Sequence, residues 1–282
     1  MRKVAICFGG ESKNFNQLAY YDIKKLTDIL SLRGFEFDYY GHTWDHCELP
    51  DTNLLNFKGF KQESQKIIDD WVMEEFVTRA FFDRKYWKPI SDPTELVDFH
   101  LKFSRDRYGQ LVSSYASLCM PNPDNYDLII RARWDCKFDI QNDYEIEILL
   151  RGMNSLVELN NENQEARCLA PSDTKISPRD WSKRGNRQLI IIGDFFFVFN
   201  KLAAYELQKN TSFELIEKIN SIIPKTHHNL GGHQLWAEAL GSCAFQIDTL
   251  LPNIFEVYRI QDQDKNNPMA WTKTKYAGGN IT

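Results

Sequence analysis

The sequence predicts an α/β fold with a Rossmann-like sheet flanked by helices, and three features of the first 40 residues support this. Residues 3–8 are a short β-prone run that ends at a glycine pair. Residues 15–33 then carry apolar side chains at helical spacing, and Gly34 is typical of the end of such a helix. A second strand is predicted at residues 35–40. A strand, a helix and a strand in this order form a right-handed unit with parallel strands.

Segments typical of helices and strands continue to alternate along the chain. Residues 67–82 carry bulky aromatic side chains along one side of a predicted helix. A helix start is predicted at residues 91–95, where Ser or Asp serves as the cap before a proline and an acidic residue, and residues 107–119 continue as a helix. Residues 126–133 form a strongly apolar strand. In contrast, residues 139–187 are polar and predict long loops.

The last third of the chain predicts one more strand-rich segment and three helices. The strand lies in residues 188–199, and the helices cover residues 201–209, 212–223 and 233–240. We expect a single domain over residues 1–260, followed by a C-terminal tail over residues 261–282.

The composition argues against several classes of protein. Over 282 residues the formal net charge is −5, so the chain lacks the overall basic character of many nucleic-acid-binding proteins. None of the 6 cysteines lies in a CxxC pair, which gives no support to a zinc knuckle and predicts reduced thiols. No stretch approaches the roughly 20 apolar residues that span a bilayer. We therefore expect a cytoplasmic protein with no membrane span.

The strongest candidate site follows the strand at residues 126–133. It contains Arg131, Arg133 and Asp135, and ligands of open α/β sheets bind beyond the carboxyl ends of the strands. A carboxylate there is able to hold a divalent cation, and an arginine is able to pair with a diphosphate. The alternative is an Arg–Asp ion pair that caps the sheet, and the residue pattern leaves both interpretations open.

Two further groups of polar residues are candidates for chemistry. Asp194 opens a Phe-rich strand, where a carboxylate is costly unless it is paired or used. Acceptor binding, base catalysis and a structural hydrogen bond all stay open for it. His233 and Glu238 offer a metal ligand and a base, although residues five apart do not share one face of a helix. A capping or surface histidine is the alternative for His233.

A basic segment surrounds Trp181 and contains Arg179, Lys183, Arg184 and Arg187. Such a loop is able to close on a diphosphate or to follow a nucleic-acid backbone. A solvated loop is the third interpretation, and the charges alone do not decide among the three.

Several of these segments carry a family resemblance. Residues 126–135, YDLIIRARWD, resemble the "YDxxIRxRxD" element of glycosyltransferases from bacterial polysaccharide clusters and from large DNA viruses and phages. Further segments of the chain resemble other elements of that group and follow one another in the same order as those elements. They are residues 4–10 (opening strand and glycine loop), 41–45 ("HTWD"), 110–117 ("QxxSxxxA"), 193–198 ("GDxFF") and the helix from residue 233. The likeness runs from residue 3 to about residue 260.

The resemblance implies a GT-A-like mixed sheet with a nucleotide-sugar site at its C-terminal edge. Gly9 and Gly10 would let the backbone approach the nucleotide, and Lys13 would supply a positive charge. Asp135 would take the place of the last acid of a DxD metal motif, but Arg133 stands where the first acid would be. The donor phosphates would then be neutralised either by Mn²⁺ or Mg²⁺, with Asp135 and His233 as ligands, or by the two arginines at 131 and 133.

The activity that this implies is sugar transfer from a nucleotide-diphosphate sugar, with a UDP-linked donor, to an acceptor hydroxyl. The acceptor is either a surface glycan or a hydroxymethylated base in viral DNA, and Asp194 and Glu238 are the candidate bases. The basic loop at residues 179–187 favours DNA, whereas the acidic net charge opposes it. A non-catalytic nucleotide-sugar or glycan-binding module is the alternative. A Rossmann dehydrogenase is disfavoured because the first loop lacks GxGxxG.

Overall fold

The fold is described by a computed structural model of residues 1–12, 15–51, 53–78, 93–138, 143–162, 165–171, 196–222, 236, 239–240, 246–250, 255–260 and 271–274. The strands are β1 (Arg2–Gly9), β2 (Phe35–Trp44), β3 (Phe57–Glu63), β4 (Leu128–Arg133), β5 (Cys136–Phe138), β6 (Arg167–Pro171), β7 (Phe196–Asn200), β8 (Gln246–Leu250), β9 (Phe255–Ile260) and β10 (Trp271–Thr274). The longer helices are α1 (Tyr20–Ser31), α2 (Lys66–Thr78), α3 (Pro93–Leu118), α4 (Asp143–Glu162), α5 (Lys201–Gln208) and α6 (Ser212–Ile222).

Seven of these strands form one mixed sheet in the order β3-β2-β1-β4-β7-β6-β8. Strands β3, β2, β1 and β4 run parallel to one another, and β6 and β8 form a second parallel pair. Strand β7 runs antiparallel to β4 and β6 on its two sides. A smaller antiparallel sheet contains β10, β9 and β5 in that order.

Helices cover both faces of the large sheet, because the side chains of a strand alternate between its faces. On β1, Ala5 and Cys7 belong to a core shared with α2, α3, α5 and α6. Val4, Ile6 and Phe8 belong to the opposite core, shared with α1 and α4. This arrangement confirms the predicted fold class of a mixed sheet flanked by helices. It also confirms that β1 and β2 are parallel strands joined by a helix.

Helix α4 corrects one prediction. Residues 139–187 were predicted as long loops, but residues 143–162 are helical and residues 167–171 form β6. The buried side chains of α4 recur every three or four residues: Ile146, Leu149, Leu150, Met153, Leu156 and Val157. That apolar stripe stabilises a helix against the sheet even though polar Asn and Glu residues fill its other face. The rest of this segment, from residue 172 to residue 187, lies outside the described residues.

Two other elements differ from prediction in extent. The predicted helix start at residues 91–95 and the helix at residues 107–119 belong to one long helix, α3. Strand β2 continues through Trp44, so His42 is a strand residue that pairs with β3 rather than part of a turn. Strand β10 lies within the segment predicted as a C-terminal tail.

The predictions about cysteines and membrane spans are compared with the structure only over the residues that it describes. Among the residues that the structure describes, Cys7, Cys47, Cys119, Cys136 and Cys168 are free thiols, as predicted. In the same part of the chain, no helix is both long enough and apolar enough to cross a membrane.

The end of β1 packs against α3 at unusually short range. A Cβ atom added at Gly9 would lie 2.3 Å from the Cα atom of Ser114, which is closer than Cβ contacts in proteins come. A side chain at position 9 would therefore push α3 away from the sheet. This backbone-to-backbone contact therefore requires a residue without a side chain at position 9, which is glycine.

We expect Gly9→Ala to lower the free energy of unfolding by about 3 kcal/mol, because overpacking against backbone leaves no flexible side chain to move. Gly34→Ala is the matched control: Gly34 has a φ of +92° but no atom within 4 Å of an added Cβ. That substitution should cost only about 1 kcal/mol of backbone strain. Urea unfolding of both variants measures the difference, and equal losses would contradict the close contact.

Candidate functional site

The candidate site lies between the carboxyl ends of β1 and β4, where the strand order of the sheet reverses. From β1 the chain continues to β2 and β3 on one side, and α3 brings it back to β4 on the other side. Ligands of open α/β sheets bind outside the carboxyl ends of the strands at such a switch point. The parallel register places Gly9 opposite Arg133 at this edge. Two segments that the sequence singled out therefore meet there.

Arg133 and Asp135 form a bidentate ion pair at the end of β4. The Arg133 Nε and Nη2 atoms donate to the two Asp135 carboxylate oxygens, each at 2.7 Å. Each side chain keeps 20% of its surface exposed, so the pair lies at the rim of the sheet rather than in the core. The sequence left two interpretations open, a ligand site and an ion pair. The structure contains the ion pair. Each carboxylate oxygen already accepts a charge-assisted hydrogen bond.

The described residues do not assemble a metal site around Asp135. Within them, no group of three or more His, Cys, Asp or Glu side chains is placed to hold a metal ion. A single carboxylate that is already shared with an arginine is a poor cation ligand set, since Mn²⁺ and Mg²⁺ prefer several oxygen ligands. The other predicted ligand, His233, lies outside the described residues. The metal site and its alternative, charge neutralisation by the two arginines at 131 and 133, both stay predictions.

Arg131 is a buried cation two residues before Arg133. Its side chain is fully buried, and its Nε and Nη2 atoms donate to Ser114 Oγ at 3.1 and 3.0 Å. The guanidinium carbon lies 5.3 Å from the centroid of the Phe197 ring and 4.9 Å from that of Trp236. Aromatic faces stabilise a cation that has lost its water. Arg131 therefore contributes charge from beneath the strand end and is not an open ligand in this structure.

Trp134 anchors the turn between the paired residues Arg133 and Asp135. Its fully buried indole stacks on Phe8 at 4.8 Å between ring centroids and meets Phe15 edge-on at 4.9 Å. Its Nε1–H donates to the backbone carbonyl of His42 at 2.9 Å. An aromatic side chain fixed in this way holds the neighbouring ion pair at a defined position.

A buried chain of four residues, here called the His42 network, connects the loop after β1 to β3. The Gly10 N–H donates to Ser113 Oγ at 2.7 Å, and Ser113 Oγ lies 2.8 Å from His42 Nδ1. His42 Nε2 lies 2.9 Å from Glu63 Oε2, and the imidazole is fully buried. The network thus joins the end of β1, α3, β2 and β3 in one set of hydrogen bonds.

The environment of the imidazole favours its neutral form. Burial lowers the pKa of His42, and the bond to Glu63 only partly opposes this effect. Burial raises the pKa of Glu63, but hydrogen bonds from Lys61 and His42 outweigh this effect and lower the pKa below its ordinary value, so the carboxyl stays ionised near neutral pH. Lys61 Nζ lies 2.5 Å from Glu63 Oε1. The neutral imidazole then donates from Nε2 to Glu63, which leaves Nδ1 as an acceptor for the Ser113 hydroxyl. The same hydroxyl also lies within donating distance of the His42 backbone carbonyl, at 3.1 Å.

Gly9 and Gly10, predicted to approach a nucleotide, both turn their Cα hydrogens toward α3. Gly10 has a φ of +105°, and a Cβ added there would lie 2.6 Å from Gln110 Oε1. Its carbonyl accepts from Thr43 Oγ1 at 3.1 Å, so both backbone groups of Gly10 bond within the protein. Packing is thus a sufficient reason for both glycines. Their approach to a nucleotide stays a prediction.

Several predicted site residues lie outside the described part of the chain. These are Lys13, Asp194, His233 and Glu238, together with the basic segment at residues 179–187. Their predicted roles stay predictions.

Sequence analysis missed three buried residues that organise this edge. Ser113, Glu63 and Trp134 carry the contacts described above, yet none was a candidate. A signal was available, because His42 and Ser113 stood within segments already compared with glycosyltransferase motifs. A histidine on an apolar strand also requires a polar partner once it is buried.

The His42 network generates a pH prediction. Because the folded-state pKa of His42 lies below its ordinary value of 6.5, the unfolded chain binds the proton more readily. The stability that the neutral, buried imidazole of His42 contributes is therefore complete above pH 6.5 and is lost as the pH falls below this value. The loss is at most about 1.4 kcal/mol per pH unit.

Urea unfolding between pH 7.5 and 5.5 tests this, with His42→Gln as the comparison. Glutamine places its amide near the position of Nε2 and does not titrate, so we expect a smaller pH dependence in the variant. Glu63 does not confuse the result, since its pKa is lowered from 4.5 and it titrates below this range. Equal slopes in the two proteins would contradict the assignment.

Comparison with known proteins gives structural similarities only. No family model and no curated protein sequence matches the chain. Among solved structures, the chain is similar to mouse xyloside xylosyltransferase 1 in its apo form, with 13% identity and a TM-score of 0.39 over 88% of this chain and 84% of that one. It is also similar to the galactosyltransferase LgtC in complex with donor and acceptor sugar analogues, with 10% identity and a TM-score of 0.39 over 88% and 73% of the two chains. The fold class itself rests on the strand order and directions described above.

Proposed function

We propose that this chain is a glycosyltransferase that binds the diphosphate of a nucleotide-sugar donor at the switch point between β1 and β4. The observation that carries the proposal is the position of Arg133. It stands at the carboxyl end of β4, opposite Gly9 in the register and partly exposed at the rim of the sheet. Anions that bind at such an edge require a positive charge with geometry suited to phosphate oxygens, which arginine provides.

The proposed chemistry needs positive charge at this edge. As the bond between the sugar C1 atom and the diphosphate oxygen breaks, its electron pair moves to the leaving diphosphate. The acceptor hydroxyl forms the new bond to C1 and gives its proton to a base. Arg133 would bind the diphosphate directly, and the buried charge of Arg131 would add to the favourable field from below. Asp194 and Glu238 remain the proposed bases.

The finer assignments are proposals that follow from the sequence resemblance. We propose a UDP-linked donor and an acceptor that is either a surface glycan or a hydroxymethylated base in viral DNA. The chain's net charge of −5 opposes duplex DNA as the acceptor, whereas the basic segment at residues 179–187 favours it. A divalent cation would enter with the donor phosphates if it is required at all.

A second candidate function is a binding module that holds a nucleotide sugar or glycan without transferring it. The Arg133–Asp135 pair favours this alternative, because each carboxylate oxygen is already bonded to the arginine. Binding of a donor would then exchange one partner of Arg133 for another, and Asp135 would not take the part of a metal ligand. Donor hydrolysis or sugar transfer by the purified protein would exclude this alternative.

The first experiment is a thermal-shift panel with UDP-, GDP-, CMP- and dTDP-linked sugars, each with and without Mn²⁺ or Mg²⁺. A ligand at a hundredfold excess over its dissociation constant stabilises the native state by about 2.7 kcal/mol, which such a panel detects. A shift without metal would support the arginines, and a shift only with metal would restore Asp135 as a ligand. If no nucleotide sugar shifts the transition, the proposed function is wrong.

Replacing Arg133 by methionine should weaken binding of the active nucleotide sugar by about 10- to 100-fold, because a charge-assisted hydrogen bond contributes roughly 1.5–3 kcal/mol. The matched control is Arg33→Met, which makes the same charge change just before β2 begins. Arg33 is 51% exposed and pairs with Glu147 at 2.9 Å, so its loss should leave binding unchanged. Titration calorimetry measures the affinity of both variants. An equal loss of affinity in the two would show that the effect comes from the change in net charge and not from a contact with Arg133.

A further inference from the structure

The loop after β1 is held from inside the protein by a residue that has no access to solvent. We propose that His42, fixed between Glu63 and Ser113, is a positioning residue for residues Gly10–Ser12 and thereby for donor binding. The link to the donor rests on the function proposed above, whereas the link to the loop rests on the hydrogen bonds alone. His42 is fully buried and therefore acts through Ser113 rather than on a substrate.

The hydrogen bonds of the network run in one direction. The Gly10 amide donates to Ser113, the Ser113 hydroxyl donates to His42 Nδ1, and His42 Nε2–H donates to the Glu63 carboxylate. Each donor in such a chain is polarised by the next, and the ionised carboxylate at its end strengthens the whole series. The Ser113 hydroxyl also reaches the His42 backbone carbonyl at 3.1 Å, so the imidazole and this carbonyl together orient the acceptor that Ser113 offers to Gly10.

The network holds the loop on the side that its other contacts leave open. Thr43 Oγ1 donates to the Gly10 carbonyl and also lies 3.1 Å from Ser12 Oγ, and the Ser12 hydroxyl bonds to the carbonyl of Glu48. These contacts come from β2 and the segment that follows it. Ser113 comes from α3 on the other side of the loop. Without Ser113, the Gly10 amide loses a buried acceptor, and α3 then holds this peptide through the bond from Gln110 Nε2 to the Gly9 carbonyl at 3.2 Å.

Among the described residues, the groups around His42 are apolar or neutral, except for the ion pair between Glu63 and Lys61. Glu63 and Lys61 on β3 are the charged groups that reach it, and the Trp44 ring meets the imidazole edge-on at 5.1 Å. Glu63 is 29% exposed and keeps its bond to Lys61, so it tolerates the loss of the histidine. Ser113 is fully buried, and its hydroxyl lies 2.8 Å from His42 Nδ1 and 3.1 Å from the His42 backbone carbonyl, so loss of the imidazole removes one of these two partners.

This difference between the two ends of the network defines the test variants. Ser113→Ala removes the acceptor of the Gly10 amide. His42→Gln retains a partner for Glu63 but loses the side-chain contact with Ser113 and leaves it only the backbone carbonyl of the same position. His42→Asn places an amide near Nδ1 and restores the side-chain contact. Ser117→Ala is the matched control, because this buried serine on the same helix bonds only locally, to the Ser114 carbonyl at 2.8 Å.

Two measurements are made on each full-length variant: amide hydrogen exchange at Gly10 by NMR, and the affinity for UDP by calorimetry. In Ser113→Ala and His42→Gln we expect Gly10 exchange to accelerate about tenfold and the affinity for UDP to fall by a similar factor, since each loses one buried hydrogen bond. His42→Asn should recover most of both losses. Ser117→Ala should match the wild type in both.

The outcomes separate this inference from the proposed function. Unchanged Gly10 exchange in both Ser113→Ala and His42→Gln would overturn the positioning role. Faster exchange with unchanged affinity for UDP would overturn its connection to the donor. If the wild-type protein binds none of the nucleotide sugars, the proposed function fails, while the exchange data still decide whether His42 positions the loop. If Ser113→Ala does not fold, the two His42 variants provide the same comparison without a change in α3.

Discussion

The contact between the end of β1 and helix α3 determines the geometry of the whole candidate site. At Gly9 the two backbones come so close that no Cβ atom fits between them. The same approach brings Ser113 and Ser114 to the sheet, where one accepts from Gly10 and the other accepts from Arg131. A slightly wider spacing would break both contacts together. The glycine, the buried arginine and the His42 network are thus consequences of one short interlayer distance.

Polar groups are buried in this region because each is satisfied by partners from different elements. Arg131 lies between two aromatic rings and a serine hydroxyl, and His42 lies between a serine and a carboxylate. Burying such groups is costly unless their hydrogen bonds are made, so an arrangement of this kind tolerates few alternatives. The cost is consistent with a region whose geometry serves binding rather than stability alone.

The sequence predicted the β1–α1–β2 unit, strand β4 and the arginine-rich strand end, because local patterns determine these features. It failed at α4, where abundant Asn and Glu residues concealed a regular apolar stripe beginning at Ile146. It also failed at the His42 network, whose central contact joins residues 71 positions apart. No local pattern specifies which serine of α3 will face which strand. Tertiary packing decides such contacts, and they become visible only in three dimensions.

The small antiparallel sheet ties the candidate site to the last part of the chain. Strand β5 begins at the residue after Asp135 and pairs with β9, which pairs in turn with β10 at Trp271–Thr274. During synthesis, β5 therefore has no partner until more than 100 further residues have left the ribosome, since β9 begins only at Phe255. Pairing of strands so far apart in the sequence is slow, because the chain that connects them loses conformational entropy before the contacts between the strands form. The segment that directly follows the Arg133–Asp135 pair is thus among the last parts of the fold to gain its strand partner.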